Sequence, residues 1–336
     1  MNKLTKIGVS ALCGSLAGVS AANAGELAVA GGADLTWVSQ AGSVMGNPIG
    51  IGSNYGLTGS GDLENGWSVA LSIAMNNINA YSNTSITVGV PGIGDILVNQ
   101  GGSGTGIQAI DDITPTVWEE VDGAGLSAGI AKVAGTSAGA TVQVTPSMAP
   151  DGLAVVVAWS PDSDGGSSTS DKTTGGGNSG ALQNGWDLTL TATEDLHGMA
   201  GLTLYGGLSR VDQDQGLATI SGDSSERVLG MKYAIGGLTV GVQKNNDDTG
   251  LASQGEYDNL MYSATFNIND NLSAGVGHVE SEKKDSTTAE AQSVQVAYTM
   301  GGATFRVAHV KVENQAYSTA TTADLDATIF SLGLAF

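Results

Sequence analysis

The feature that most constrains this chain is a two-residue alternation of apolar and small or polar side chains, which recurs from residue 25 to residue 336. In the stretch 67–75, for example, the odd positions carry Trp, Val, Leu, Ile and Met, and the even positions carry Ser or Ala. Successive side chains of a β-strand point to opposite faces, so this period predicts strands with one apolar and one polar face. We therefore expect an all-β protein.

The alternation divides into sixteen predicted strands, whose connections alternate between short turns and long loops. Short turns such as Gly236-Gly237 and Gly301-Gly302 are followed by longer loops rich in Gly, Ser, Asn and Asp. This order of turns is typical of an up-and-down antiparallel barrel. The strands are expected near residues 26–38, 51–61, 67–76, 84–90, 95–100, 139–146, 152–160, 185–194, 201–211, 225–234, 238–245, 257–268, 271–280, 291–300, 303–313 and 325–336.

Strand length favours a membrane barrel over a secreted β-sandwich, which is the competing architecture. About ten tilted residues cross the apolar layer of a bilayer, and the apolar face persists on nearly every strand. Beyond the N-terminus, no run approaches the 18 consecutive apolar residues of a transmembrane helix. Aromatic residues near the strand ends predict two interfacial girdles. We predict a 16-stranded antiparallel transmembrane β-barrel.

The first 24 residues have the pattern of a cleaved export signal. Lys3 and Lys6 precede an apolar stretch, and Ala22 and Ala24 form a small-x-small cleavage site. Cys13, the only cysteine, lies inside this segment, so the mature chain 25–336 is expected to contain neither disulfide nor reactive thiol.

Charge and motif content exclude several classes of function. The chain has 12 basic and 33 acidic residues and a net charge of −21, which argues against a nucleic-acid partner. Its three histidines, His197, His278 and His309, belong to no nucleophile or zinc motif. The glycine doublets open no helix that could cradle a phosphate. We expect no enzymatic activity and no cofactor.

Three stretches carry a resemblance to a known family. They are the residues Gly25-Glu26-Leu27-Ala28-Val29 after the signal, Thr145-Pro146-Ser147 at a turn, and the closing strand 328–336. With them the mature chain resembles the Gram-negative general porins, most closely those of marine alphaproteobacteria. The resemblance implies a homotrimer in the cell outer membrane, in contact with lipid and lipopolysaccharide. It also implies that Leu332, Leu334 and Phe336 form the signal read by the outer-membrane assembly machinery.

In that family a long third loop folds into the barrel and narrows it, and the longest connection here, 101–139, follows the fifth strand. Its length alone indicates a functional role or disorder. It carries the acidic residues proposed to line the pore constriction: Asp111, Asp112, Glu119, Glu120 and Asp122. Family members usually place a ladder of arginines opposite this loop. Here strand parity directs only Arg306 and Lys232 into the lumen. No metal is required, although the carboxylates of Asp111 and Asp112 could hold Ca²⁺.

The sequence thus predicts a water-filled channel for passive diffusion of ions and small hydrophilic solutes, with a modest preference for cations. One alternative is a substrate-specific channel, although inward parity supplies few aromatics, such as Tyr205, for a sugar track. Another is a closed structural or adhesive barrel, which would need bulky apolar side chains at lumen positions. We expect Ser, Thr, Gly, Ala and Gln there instead.

Overall fold

Sixteen antiparallel strands close into one barrel in the computed structural model of the chain, which describes residues 27–41, 47–77, 80–100, 104–123, 126–137, 140–163 and 182–335. The strands are β1 Leu27–Ala41, β2 Ile49–Asp62, β3 Ser68–Asn76, β4 Ala80–Val90, β5 Gly94–Gln100, β6 Thr141–Pro146, β7 Leu153–Ser160, β8 Leu182–Ala192, β9 Leu202–Gln213, β10 Ser224–Ile235, β11 Leu238–Asp248, β12 Glu256–Asn267, β13 Leu272–Lys283, β14 Ala289–Met300, β15 Ala303–Glu313 and β16 Leu325–Ala335. The predicted fold class and strand count are confirmed.

Closure comes from pairing the first strand with the last. Each strand pairs with the next along the chain, and β1 pairs with β16 in a register that sets Asp34 opposite Gly333. A closed ring of ladders leaves no strand edge with unpaired backbone groups. The two faces of each alternating strand therefore form the outer and the inner surface of the barrel.

The outward face is apolar and exposed, as the alternation predicts. Leu229 is 73% and Ile51 is 74% exposed, and exposed large apolar residues occur on nearly every strand, which gives a larger apolar surface than an ordinary soluble protein shows. Trp159 and Trp186 are direct partners across β7 and β8, on the side of the following long loop. Exposed Phe266 and Tyr298 lie near the short turns at the other end. The aromatic residues thus occupy both ends of the apolar belt.

The inward face differs from the expected row of small and polar residues. Met261, Val279, Val310 and Ile329 alternate with the outward residues of their strands, and each is at most 1% exposed. The expectation that lumen positions avoid bulky apolar residues is therefore wrong for β12, β13, β15 and β16. These side chains are packed beneath Val121 and Ala128 of the β5–β6 connection. Parity identified the inner positions but could not show that another segment covers them.

Helices contribute little to the fold. A four-residue α-helix spans Glu194–His197, and short 3-10 helices occur at Gly106–Ile110, Val121–Gly123, Gln315–Tyr317 and Thr321–Ala323. Within the described ranges, no helix has the length and apolar character needed to cross a membrane. The predicted signal segment 1–24, including Ala22 and Ala24, and the terminal Phe336 lie outside the described residues.

Candidate functional site

The β5–β6 segment, residues 101–139, is described over 104–123 and 126–137 and packs along the buried face of the barrel wall. Its first helix, Gly106–Ile110, places Ile107 and Ile110 against Tyr205 of β9 and Val228 of β10. Gly207 of β9 allows this close approach, because a Cβ there would lie 3.0 Å from the side chains of both isoleucines. The segment thus begins with an apolar contact to the wall.

Two glutamines hold the outgoing half of the segment, which is residues 104–123. On β11, Gln243 donates from Nε2 to the carbonyls of Ile110 (2.9 Å) and Asp111 (2.7 Å), and its Oε1 accepts from Ile113 N (3.2 Å). On β14, Gln295 Oε1 accepts from Trp118 N at 2.9 Å, and its Nε2 donates to the carbonyl of Glu119 at 2.8 Å. Buried amide side chains thereby satisfy backbone groups that no strand pairs.

Two buried carboxylates hold the returning half of the segment, which is residues 126–137. Asp187 Oδ2 on β8 accepts from Thr136 Oγ1 at 2.9 Å and from Ile107 N at 3.2 Å, so one side chain joins the two ends of the segment. Glu226 on β10 accepts from the backbone N–H groups of Ala134 (3.0 Å) and Gly135 (2.7 Å). None of these anchors was singled out from the sequence. Their only signal was an amide or carboxylate at inward parity on an apolar strand.

The acidic residues of the segment form one cluster around an ammonium group. Ligand oxygens of Asp112, Glu120 and Asp122 lie within 4.8 Å of one another. Lys132 pairs with Glu120, and its Nζ lies 3.0 Å from Asp122. Asp111 is not part of this group, so the pair proposed for Ca²⁺ is not the set of carboxylates that the structure brings together. Lys132 already supplies the cluster with positive charge.

Burial changes the protonation of these groups. Burial raises the pKa of Glu120 to about 7, because it outweighs the opposing effect of Lys132. Burial also raises the pKa of Asp111 and of Asp112. For Lys132, burial lowers the pKa, but Asp122 and Glu120 outweigh it and leave the pKa above its usual value. The ammonium group is therefore permanent, whereas part of the carboxylate charge depends on pH.

Arg306 of β15 is the wall residue whose positive charge acts on Glu119 of the segment. Arg306 is on the inward face of β15, as parity predicted, where its Nη1 donates to Asp34 Oδ1 of β1 at 2.7 Å. Its guanidinium carbon lies 5.6 Å from the centre of the Trp118 ring. Burial, and then the charge of Asp34, raise the pKa of Glu119, while Arg306 lowers it. The positive charge of Arg306 is thus neutralised by the carboxylate of Asp34 on the barrel wall.

The other predicted site residues are placed as follows. Lys232 is on the inward face of β10, with its Nζ 5.9 Å from the centre of the Tyr205 ring. Leu332 and Leu334 lie on the outward face of the closing strand, opposite Phe305 and Ala303 of β15. Neither leucine contributes to the inside of the barrel.

The inner wall on the opposite side of the ring is small and hydroxyl-rich. In a ring of sixteen strands, β2 and β3 lie eight positions from β10 and β11, which hold the segment. A cavity of about 240 Å³ on this wall is lined by residues that include Ser60, Ser72, Ser85 and Thr87. A second cavity, of about 450 Å³, opens on the segment beside Asp112, Glu119 and Glu120. A cavity with no charged residue in its lining and an acidic surface thus occupy opposite sides of the barrel.

Solved structures of outer-membrane proteins share the fold of this chain. No protein-family model matches the sequence, and no curated protein matches it. Among solved structures, the outer-membrane channel DcaP of Acinetobacter baumannii is similar with a TM-score of 0.68 and 11% identity, over 96% of this chain and 100% of that one. Salmonella typhi OmpF, in a complex with daunomycin, gives a TM-score of 0.66 and 11% identity over 92% and 97% of the two chains. An anion-selective porin from Comamonas acidovorans gives 0.65 and 13% over 93% and 100%. At these identities the likeness establishes that the chain has the 16-stranded barrel fold of Gram-negative outer-membrane porins.

Proposed function

We propose that this chain is an outer-membrane porin, a water-filled channel through which ions and small hydrophilic solutes diffuse passively. The observation that carries the proposal is the division of the inner surface. The β5–β6 segment covers the apolar inner residues of β12–β16, while the wall of β2–β4 keeps exposed polar residues such as Thr58 and Ser60. A closed structural barrel would not need this arrangement, because bulky side chains from all strands would fill the inside of the barrel. A solute that crosses through a water-filled lumen never leaves water, so its passage requires no chemical reaction.

The β5–β6 segment is the proposed constriction. It is anchored on the buried face of β8, β10, β11 and β14. That face is opposite to the exposed apolar face, so the segment lies on the lumen side and reduces the cross-section there. Its exposed side then meets the hydroxyl-rich wall across the remaining opening. The channel is narrowest between Glu119 and Glu120 on one side and the small residues on the other.

The selectivity follows from the charges at this opening. The described part of the segment carries five carboxylates and one ammonium group. Lys132 is paired with Glu120 and Asp122, and Arg306 with Asp34. No described arginine lies on the inward face of β2–β4. A narrow passage between low-dielectric walls concentrates the counter-ion of its lining, so cations are preferred.

The proposal also includes a cleaved signal, a homotrimer, contacts with lipid and lipopolysaccharide, and recognition of the last strand by the assembly machinery.

Current recorded across a planar bilayer tests the proposal. Residues 25–336 would be refolded and inserted singly, under a tenfold gradient of potassium chloride. We expect ohmic openings, in steps of three for a trimer, with a reversal potential on the cation side that approaches zero in concentrated salt. Inserted protein without conductance would contradict a channel. A reversal potential near the anion limit would retain the channel and contradict the acidic constriction. Saturation of the current by one sugar or one ion would favour a substrate-specific channel.

A further inference from the structure

A turn of the loop between β15 and β16 contacts the β5–β6 segment. This turn, residues 314–317 between β15 and β16, makes three hydrogen bonds to the returning half of the β5–β6 segment. Gln315 Nε2 donates to the carbonyl of Ser127 at 2.6 Å, and Ala316 N donates to the carbonyl of Ala128 at 2.9 Å. Tyr317 Oη accepts from Ala131 N at 2.9 Å. The contact joins residues separated by almost 190 positions in the chain.

The turn is held in a conformation that its residues adopt rarely. Asn314, Ala316 and Tyr317 have φ angles of 53°, 52° and 60°, in the left-handed region that favours glycine. Three such residues within four positions persist only where the surroundings over-determine the backbone. Here Asn314 is fixed by Asp324 Oδ1, which accepts from its backbone N–H at 3.0 Å, and by the carbonyl of Thr288, which accepts from its side chain at 2.9 Å.

The side chain of Tyr317 connects the turn, the wall and the segment. Its hydroxyl lies 2.7 Å from Ser281 Oγ on the inward face of β13, besides the contact with Ala131 N. Its ring lies 5.5 Å from that of Tyr257, and Lys283 Nζ is within 5.6 Å of both ring centres. Replacement of the hydroxyl therefore removes the contact with Ala131 N, while the aromatic and cationic packing and the hydrogen bonds of Gln315 and Ala316 stay in place.

We propose that the turn 314–317 is a tether that holds residues 126–131 against the wall, and that Tyr317 is the positioning residue that keeps the channel steadily open. The inference rests on the proposed channel function. Glu226 and Asp187 already fix residues 134–136, and Gln295 fixes residues 118 and 119. Between these anchors, Asn259 Nδ2 donates to the carbonyl of Ala131 at 2.6 Å. The tether adds the contacts of Ser127 and Ala128 and, through Tyr317, a second contact at Ala131, so weakening the tether lets that stretch enter the opening more often.

Tyr317→Phe in the mature chain, recorded by single-channel current, is the first test. We expect the full-open conductance to be retained, and the time spent in reduced-conductance states to rise about 5-fold, which corresponds to the loss of one hydrogen bond. The temperature of barrel unfolding should be nearly unchanged, because the strand ladders carry it. Tyr257→Phe is the matched control, since the Tyr257 hydroxyl makes no hydrogen bond to the described residues of the segment. A Tyr317→Phe channel that is as steady as the parent chain would overturn the role assigned to Tyr317.

A reversible crosslink gives an independent test. A Cβ placed on Gly129 would lie 3.1 Å from the Cβ of Ala316, so a small outward shift of either residue reaches the roughly 3.5–4.5 Å that a disulfide spans. In a Gly129→Cys, Ala316→Cys, Tyr317→Phe chain, oxidation should abolish the extra closures, and dithiothreitol should restore them. The two chains with one cysteine each control for strain. Closures that persist after crosslinking, or cysteines that do not crosslink, would contradict the tether. A parent chain without any current would overturn the channel itself, which distinguishes that failure from the failure of the tether.

Discussion

The carboxylate of Asp187 lies 2.9 Å from the hydroxyl of Thr136, and the same oxygen accepts from the backbone N–H of Ile107. A side chain of β8, completely buried, therefore closes the two ends of the β5–β6 segment onto one point of the wall. The segment is fixed to the barrel as a unit. Its acidic residues consequently hold defined positions relative to the opposite wall.

Asp187→Ala should release both ends of the segment at once. Hydrogen bonds to a charged acceptor contribute roughly 1.5–3 kcal/mol each, so we expect the unfolding temperature of the barrel to fall measurably and the conductance to become unsteady. Asp214→Ala, at an exposed turn position, is the control and should change neither quantity. Calorimetry and single-channel recording provide the two measurements. A steady channel in Asp187→Ala would show that the other anchors suffice.

The cation preference should depend on pH near neutrality. The pKa of Glu120 is raised by burial to about 7, so its carboxylate gains a proton as the pH falls from 8 to 6. The reversal potential should move toward zero over this range, and Glu120→Gln should remove most of the movement. The cation preference should therefore rise with pH, whereas the contribution of Glu120 to the free energy of unfolding should fall. A carboxyl group whose pKa is raised in the folded state contributes stability that is present at low pH and is lost as the pH rises through about 7. A reversal potential that is constant from pH 8 to 6 would contradict the role assigned to Glu120.

Glu119 and Arg306 should act on selectivity in opposite directions. The side chain of Glu119 remains accessible on the segment despite the partial burial that raises its pKa. A unit charge roughly 7 Å from a passing ion changes the local concentration of that ion about 3-fold in water. Glu119→Gln should lower the ratio of potassium to chloride permeability by that order. Arg306→Gln should raise the ratio, since it leaves Asp34 without its 2.7 Å partner. Asp151→Asn, in a short turn, is the control. Equal ratios in the parent and Glu119→Gln chains would exclude Glu119 from the constriction.

Gly277 should be required for packing of the segment. A Cβ at Gly277 on β13 would collide with the side chain of Val121, which is 3% exposed beneath it. Gly277→Val therefore overpacks the inner wall, and we expect a loss of about 1–3 kcal/mol in the free energy of unfolding together with a changed conductance. Gly59→Ala, where a Cβ would meet nothing within 4 Å, should leave both measurements unchanged.

The sequence by itself determined the strands, their number and the direction of each face. A two-residue period is a local property, and every ladder requires one face to be apolar when lipid surrounds it, so pattern alone sufficed for the barrel. Parity likewise placed Arg306 and Lys232 inside. The acidic residues between β5 and β6 were identified as a group because their connection is long and carries few compensating charges.

Tertiary structure alone decided how that connection is held. Gln243, Gln295, Asp187 and Glu226 are far from the segment in sequence and lie in strands whose period they do not disturb, so no local pattern distinguishes them from other inward polar residues. For the same reason, the sequence could not show that the segment covers the inner apolar residues of β12–β16, or that Tyr317 contacts Ala131. Long-range contacts depend on how the closed ring brings distant strands together, and the period of each strand carries no information about that arrangement.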